Sequence, residues 1–192
     1  VENNVHCGTP FFTYCRPGKY PGTTNLLYRN LGKGKFQDVS REMGLADLVG
    51  NGMGVAVNDY DLDGWPDICV TNDGMEQYLL HNAGGRRFEE QALKAGTALS
   101  DDGSSFAGMG VAFADYDNDG LPDILVPNLA MEKFALYHNE GGGLFRYASL
   151  TTGLTELTLK SSGWGAGIYD FDNDGAKEIL ISRSHVLDNV AQ

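Results

Sequence analysis

Asp59, Asp61 and Asp63, followed by Gly64 and then Asp67, place four carboxylates within nine residues. The arrangement recurs as Asp115, Asp117, Asp119, Gly120 and Asp123, and again as Asp170, Asp172, Asp174, Gly175 and Glu178. The second copy starts 56 residues after the first, and the third 55 residues after the second. In a tight loop the side chains at positions 1, 3 and 5 turn toward one point, and glycine at position 6 permits the positive φ that a sharp turn needs. The carbonyl of position 7 (Trp65, Leu121 or Ala176) can face the same point, and the acid at position 9 closes the shell. Four carboxylates this close repel one another unless a cation or protons intervene. Calcium takes six to eight oxygen ligands at ~2.3–2.6 Å, whereas magnesium demands a tighter octahedron and keeps its waters. Three Ca²⁺ sites are therefore expected. A solvated acidic turn accounts for one such copy better than for three in phase.

The flanking residues decide what carries these loops. An EF-hand loop requires a bidentate Glu at position 12 and a helix on either side. Position 12 here is Val70, Val126 or Ile181, inside the runs Ile68–Val70, Ile124–Val126 and Ile179–Ile181. Short β-branched apolar runs bounded by turn residues read as buried strands. Pro66 and Pro122 also disfavour α geometry in the residue before them. The loops thus connect strands.

Four short elements recur in order. A glycine-rich strand comes first: 52–57, 108–113 and 163–168. Glycine within a strand costs stability unless another backbone approaches closely, as it would around a crowded central axis. The acidic loop and the apolar strand follow. A third strand is 26–30, 78–82 or 135–139, and a glycine-rich turn leads to a fourth strand opening at Phe36, Phe88 or Phe145. Four-stranded units at this period indicate an all-β fold of β-propeller blades, each of four antiparallel strands. No helix is expected. The polar stretch Asp101–Ser105 reads as a solvated connection between blades.

The glycine-rich strand followed by the Asp-x-Asp-x-Asp-Gly-x-x-Asp loop resembles the FG-GAP/VCBS repeat of integrin-α-like propellers. Three further stretches resemble the secreted ASPIC/UnbV (cartilage acidic protein-like) group. They are Cys15–Gly22; Asn25–Asn30 with Phe36–Ser40 and Gly44-Leu45; and Ser184–Asn189. The resemblance implies a propeller whose calcium ligands are the loop residues named above. Glu178 departs from the usual Asp at position 9, and Lys177 beside it adds a positive charge that weakens the third site.

Composition sets further bounds. With 42% apolar and 21% charged residues, the 192-residue chain is globular. Its net charge is −12, and the three loops hold 12 of its 26 acids, so three Ca²⁺ would halve that charge. There is no basic stripe to neutralise phosphates, so no nucleic-acid partner is expected. No apolar run is long enough to span a membrane, so no membrane insertion is expected. Val1 opens no signal peptide, so a secreted protein would be represented in mature or truncated form. No Asn-x-Ser/Thr sequon is present. Cys7 and Cys15 could close a local disulfide or remain two thiols, and Cys69 reads as a free buried thiol in a strand. Calcium sites together with a possible disulfide favour a secreted, extracellular or periplasmic setting.

Catalytic constellations are not evident, so the chain is expected not to be an enzyme. His6, His81, His138 and His185 are scattered. His81 and His138 occupy the repeat position that holds Arg29, which reads as surface-facing. Ser184-His185 lacks a nucleophile elbow. Trp65 and Trp164 could stack on sugars, although core packing is the simpler reading.

The expected units are an N-terminal segment (1–24), a half-blade (25–50), two blades each with a calcium loop (51–107 and 108–162), and a half-blade with the third loop (163–192). The two half-blades are complementary, giving about three blade equivalents of a partial propeller. Either the chain is a piece of a longer one, or copies complete one another head to tail as a ring or filament. The leading functional reading is a non-enzymatic calcium-binding module for adhesion, contacting extracellular protein or glycan. The alternatives are a self-assembling homo-oligomeric structural subunit and the propeller portion of a larger secreted enzyme.

Overall fold

The computed structural model describes residues 17–184. His6, Cys7, Cys15 and His185 lie outside the described residues, and with them the possible disulfide. After a 3-10 turn at Pro17–Lys19 come β1 (Thr23–Thr24), β2 (Tyr28–Gly32), β3 (Lys35–Asp38) and β4 (Val49–Gly50). Next are β5 (Gly52–Asn58), β6 (Asp67–Asn72), β7 (Tyr78–Asn82), β8 (Phe88–Glu90) and the one-turn helix α1 (Ala92–Ala95). The same order follows with β9 (Ala112–Ala114), β10 (Asp123–Val126), β11 (Ala135–Asn139), β12 (Phe145–Tyr147) and α2 (Leu154–Thr158). β13 (Gly163–Tyr169) and β14 (Glu178–Arg183) come last.

β5 to β8 and β9 to β12 form two four-stranded antiparallel meanders. β2–β3 and β13–β14 are two-stranded, and β1 pairs with β4. This is a partial β-propeller, as the pattern of four recurring strands predicts.

Alternation along the second strands builds the core between blades. Ile124 and Val126 join Cys69, Tyr60 and Tyr137 in one buried cluster, between the two four-stranded sheets. Leu125, on the opposite face of β10, packs with Leu136, Ile168 and Ile181 in the next. Val70 and Leu80 pack outward against Val39, Met43 and Leu45. Because both faces are covered, β6 and β10 are apolar without alternation. β14 has the same sequence character but is largely exposed, because among the described residues only β13 pairs with it. Burial pushes the Cys69 thiol up to about 12, consistent with an inert core cysteine.

The first strands stack in a row: β5 lies against β9, and β9 against β13. A Cβ at Gly54 would come 3.1 Å from the Cα of Gly110, and a Cβ at Gly110 would overlap the Trp164 carbonyl oxygen. This close approach is the reason for glycine that the sequence implied. Backbone cannot yield as a side-chain tip can. Gly110→Ala is expected to cost about 2 kcal/mol or more and to lower the melting midpoint by about 4–8 °C. Unchanged calorimetry would show that the two strands do not meet.

Three sequence expectations need correction. The second glycine-rich segment enters its ladder only at Ala112 rather than at Gly108. Gly108 adopts φ +54° and donates its N–H to Asn128 Oδ1, while Met109 N–H bonds to the Pro127 carbonyl. Two helices are present where none was expected. At four and five residues they are too short for a periodic signal, and they are held by the burial of Ala92, Ala95, Leu154 and Thr158. Trp65 is not a core residue: it is 46% exposed and lies over Gly85.

Candidate metal centres

Each acidic loop is the turn between the first and second strand of a sheet, and its backbone is bound by its own carboxylates. Asp59 accepts N–H bonds from Asp63 (3.1 Å) and Gly64 (2.8 Å). Asp115 accepts from Asn118 (2.7 Å) and Gly120 (3.1 Å), and Asp170 from Asp174 (3.2 Å) and Gly175 (3.0 Å). The position-5 acids Asp63, Asp119 and Asp174 each accept the N–H of Trp65, Leu121 or Ala176 at 2.8 Å. The position-3 acids Asp61, Asp117 and Asp172 accept the N–H two residues on at 3.2–3.4 Å.

The turn depends on two left-handed residues. Gly64, Gly120 and Gly175 have φ of 89–94°, as expected at position 6. Position 4 is left-handed as well: Leu62 (59°), Asn118 (65°) and Asn173 (60°). Asparagine tolerates this region, while leucine there is strained.

The acid at position 9 does more than face the loop. Asp67 and Asp123 are fully buried. Asp67 accepts N–H bonds from Asn82 (2.8 Å) and Tyr60 (3.1 Å), and Asp123 from Asn139 (2.8 Å) and Tyr116 (2.9 Å). Each therefore latches its loop to the third strand of its sheet. Burial raises the pKa of Asp67, and raises that of Asp123 to about 6, although these N–H bonds pull in the other direction. Glu178 makes the corresponding bond to Phe171 N–H at 2.9 Å, so the longer side chain preserves the loop-side contact.

The loops are also linked to one another. Asn139 Nδ2 donates to the Tyr60 carbonyl of the first loop (2.8 Å) and to the Pro122 carbonyl of the second (3.0 Å). Lys177 does not point into its own loop. Its Nζ donates to the Asp115 carbonyl and to Asn118 Oδ1, both at 2.6 Å, so its charge serves the second loop. Asn118 Nδ2 donates to the Gly175 carbonyl.

Convergent donors occur in all three loops. Asp59, Asp61 and Asp63, then Asp115, Asp117 and Asp123, then Asp170, Asp172 and Glu178 each present carboxylate oxygens within 4.8 Å of one another. Sequence reasoning missed two further members. His81 and His138 turn toward the loops rather than to the surface. Nδ1 of His81 lies 3.3 Å from both Asp61 and Asp67, and Nδ1 of His138 lies 3.3 Å from both Asp117 and Asp123. Both nitrogens are buried and lack a hydrogen-bond partner. The available signal was their identical place in β7 and β11, one residue before the latching asparagine. A dication suits these loops, since it would draw together the converging carboxylate oxygens. An open cleft of about 500 Å³ borders the first loop, lined among others by Tyr60, Asp61, His81, Lys94 and Leu144.

Antiparallel blades with strand-to-strand acidic loops define a repeat-propeller module. The chain belongs to the FG-GAP-like repeat family, whose model matches residues 18–70 and 59–126. It is 31% identical to cartilage acidic protein 1 of Mus musculus over 175 residues, and 31% identical to that of Homo sapiens over the same length. These matches cover 85% of the chain and 25% of each relative, so the chain spans about a quarter of their length. It is also 29% identical to integrin alpha-3 of Cricetulus griseus over 147 residues, which is 68% of this chain and 14% of that protein. Among the described residues no helix is long and apolar enough to cross a membrane.

Proposed function

We propose that this chain is an extracellular, non-enzymatic calcium-binding propeller module for adhesion, with protein or glycan as its partner. The observation that carries this reading is the threefold recurrence of one loop geometry: in every copy the position-1 acid accepts the position-6 N–H, the position-3 acid the position-5 N–H and the position-5 acid the position-7 N–H. The ligands would be Asp59, Asp61, Asp63, Asp67 and the Trp65 carbonyl; Asp115, Asp117, Asp119, Asp123 and the Leu121 carbonyl; and Asp170, Asp172, Asp174, Glu178 and the Ala176 carbonyl. Calcium would lock each loop, hold neighbouring loops in register through Asn139 and Lys177, and so rigidify the rim that a partner meets. Similarity to an integrin α chain and to cartilage acidic proteins supports the extracellular, adhesion-type setting. Isothermal titration with Ca²⁺ is expected to give three equivalents, and Asp61→Ala and Asp117→Ala are each expected to remove one. Unchanged stoichiometry in both variants would remove the calcium reading.

A second reading is self-association into a homo-oligomer or filament. It is favoured by apolar side chains left exposed on the two-stranded sheets: Tyr28 (54%), Phe36 (62%) and Leu180 (62%). Light scattering of the chain in calcium decides it. A particle at monomer mass argues against this reading.

A further inference from the structure

We infer that His81 and His138 each add a nitrogen ligand to the first two cation sites. These two sites would then accept a borderline divalent metal such as Zn²⁺ or Co²⁺ as well as Ca²⁺. The inference rests on the reading that the acidic loops hold cations.

Three observations lead to it. First, each Nδ1 is buried and lacks a hydrogen-bond partner, yet it faces two carboxylate oxygens at 3.3 Å. With its proton on Nε2, each imidazole turns a third lone pair toward these two carboxylates, and the three repel unless an electrophile lies between them. A spacing near 3.3 Å is that of neighbouring ligands around an ion with bonds of ~2.0–2.4 Å. Second, the arrangement occurs twice with the same geometry. The His81 ring stands edge-on to Tyr60 and the His138 ring edge-on to Tyr116, both with centroids 6.1 Å apart and planes at 77°. The tyrosine at loop position 2 thus sets the direction of each imidazole. Third, carboxylates and imidazole converge at both histidines: Asp61, Asp67 and His81 form one set, and Asp117, Asp119 and His138 another.

Imidazole suits zinc, copper, iron and nickel, while carboxylate and carbonyl oxygens alone suit calcium and magnesium. The position-3 and position-9 carboxylates belong to both arrangements, so either kind of ion would occupy much the same place. The ion would decide whether the remaining loop oxygens or the imidazole completes the shell.

The test uses the full chain freed of metal and titrated separately with Ca²⁺ and Co²⁺. Two Co²⁺ equivalents are expected to bind with nitrogen ligation and to develop visible absorption. His81→Phe and His138→Phe are each expected to weaken one of these equivalents by about tenfold or more, while three Ca²⁺ equivalents persist. Nitrogen-15 spectra of the unaltered protein provide a readout independent of substitution: Zn²⁺ is expected to shift both Nδ1 resonances, as direct ligation does. Co²⁺ binding unchanged in both variants, or Nδ1 resonances unmoved by Zn²⁺, would overturn the proposal while leaving the calcium reading intact. Failure of Ca²⁺ to bind at all would overturn that reading separately.

Discussion

Asp123→Ala is expected to lower the melting midpoint by about 4–24 °C, in calcium and in chelator alike. The Asp123 carboxylate is fully buried and accepts the backbone N–H groups of Asn139 and Tyr116. Truncation strands both donors, the Asn139 N–H fully buried and the Tyr116 N–H partly so, and each stranded buried donor costs about 1–3 kcal/mol. In a chain of this length each kcal/mol moves the midpoint by about 2–4 °C. Asp117→Ala is the informative partner. Asp117 is exposed, and its contact to Asp119 N–H is long at 3.4 Å, so its loss is expected to matter in calcium and little in chelator. If Asp123→Ala were equally silent in chelator, position 9 would be a ligand only, and its role as a latch between loop and third strand would be wrong.

Removing calcium at neutral pH is expected to bring the protein close to unfolding. A ligand present at a hundred times its dissociation constant stabilises by about 2.7 kcal/mol per site, so three sites contribute about 8 kcal/mol. Whole domains are stable by only about 5–15 kcal/mol. The metal-free form is also expected to respond to pH in an unusual direction. Burial raises Asp123 to about 6 and raises Asp67 in the same direction. Between the ordinary carboxylate range and about pH 6, the folded state therefore holds more protons than the unfolded chain. Stability falls with rising pH wherever the unfolded state binds fewer protons. The contribution of Asp123 is fully present below pH 4 and is lost as pH rises through about 6, and Asp67 acts in the same direction. In calcium the dependence reverses over the same range, because the metal requires ionised carboxylates. Thermal melts from pH 4 to 8, with and without chelator, check both signs. Parallel curves in the two conditions would separate the buried acids from the metal.

Much of this was legible in the chain. The period of the acidic motifs, the apolar runs after them and the glycine-rich segments before them specify blades and strand-to-strand loops. Those features are local, and each repeat states them again. The glycines at position 6 could be assigned positive φ from the motif, but the left-handed Leu62 could not, since leucine carries no sign of that conformation. The third strand from Tyr78 to Asn82 was visible, yet the direction of His81 was not. A strand residue declares which face it occupies only relative to neighbours, and here the deciding neighbour is a loop from earlier in the same sheet. Lys177 was read from its place beside Glu178 as a weakness of the third site, whereas it reaches the second loop.

The sequence by itself thus determined the repeat, the strand order and the positions of the clustered carboxylates, because spacing along the chain sets which side chains a tight loop can gather. Only the tertiary structure decided which carboxylates lose their water, which imidazoles turn inward and which loops are bonded to one another. Those outcomes depend on burial between adjacent sheets, which brings together residues tens of positions apart. Desolvation, unlike spacing, is a property of that assembled interior.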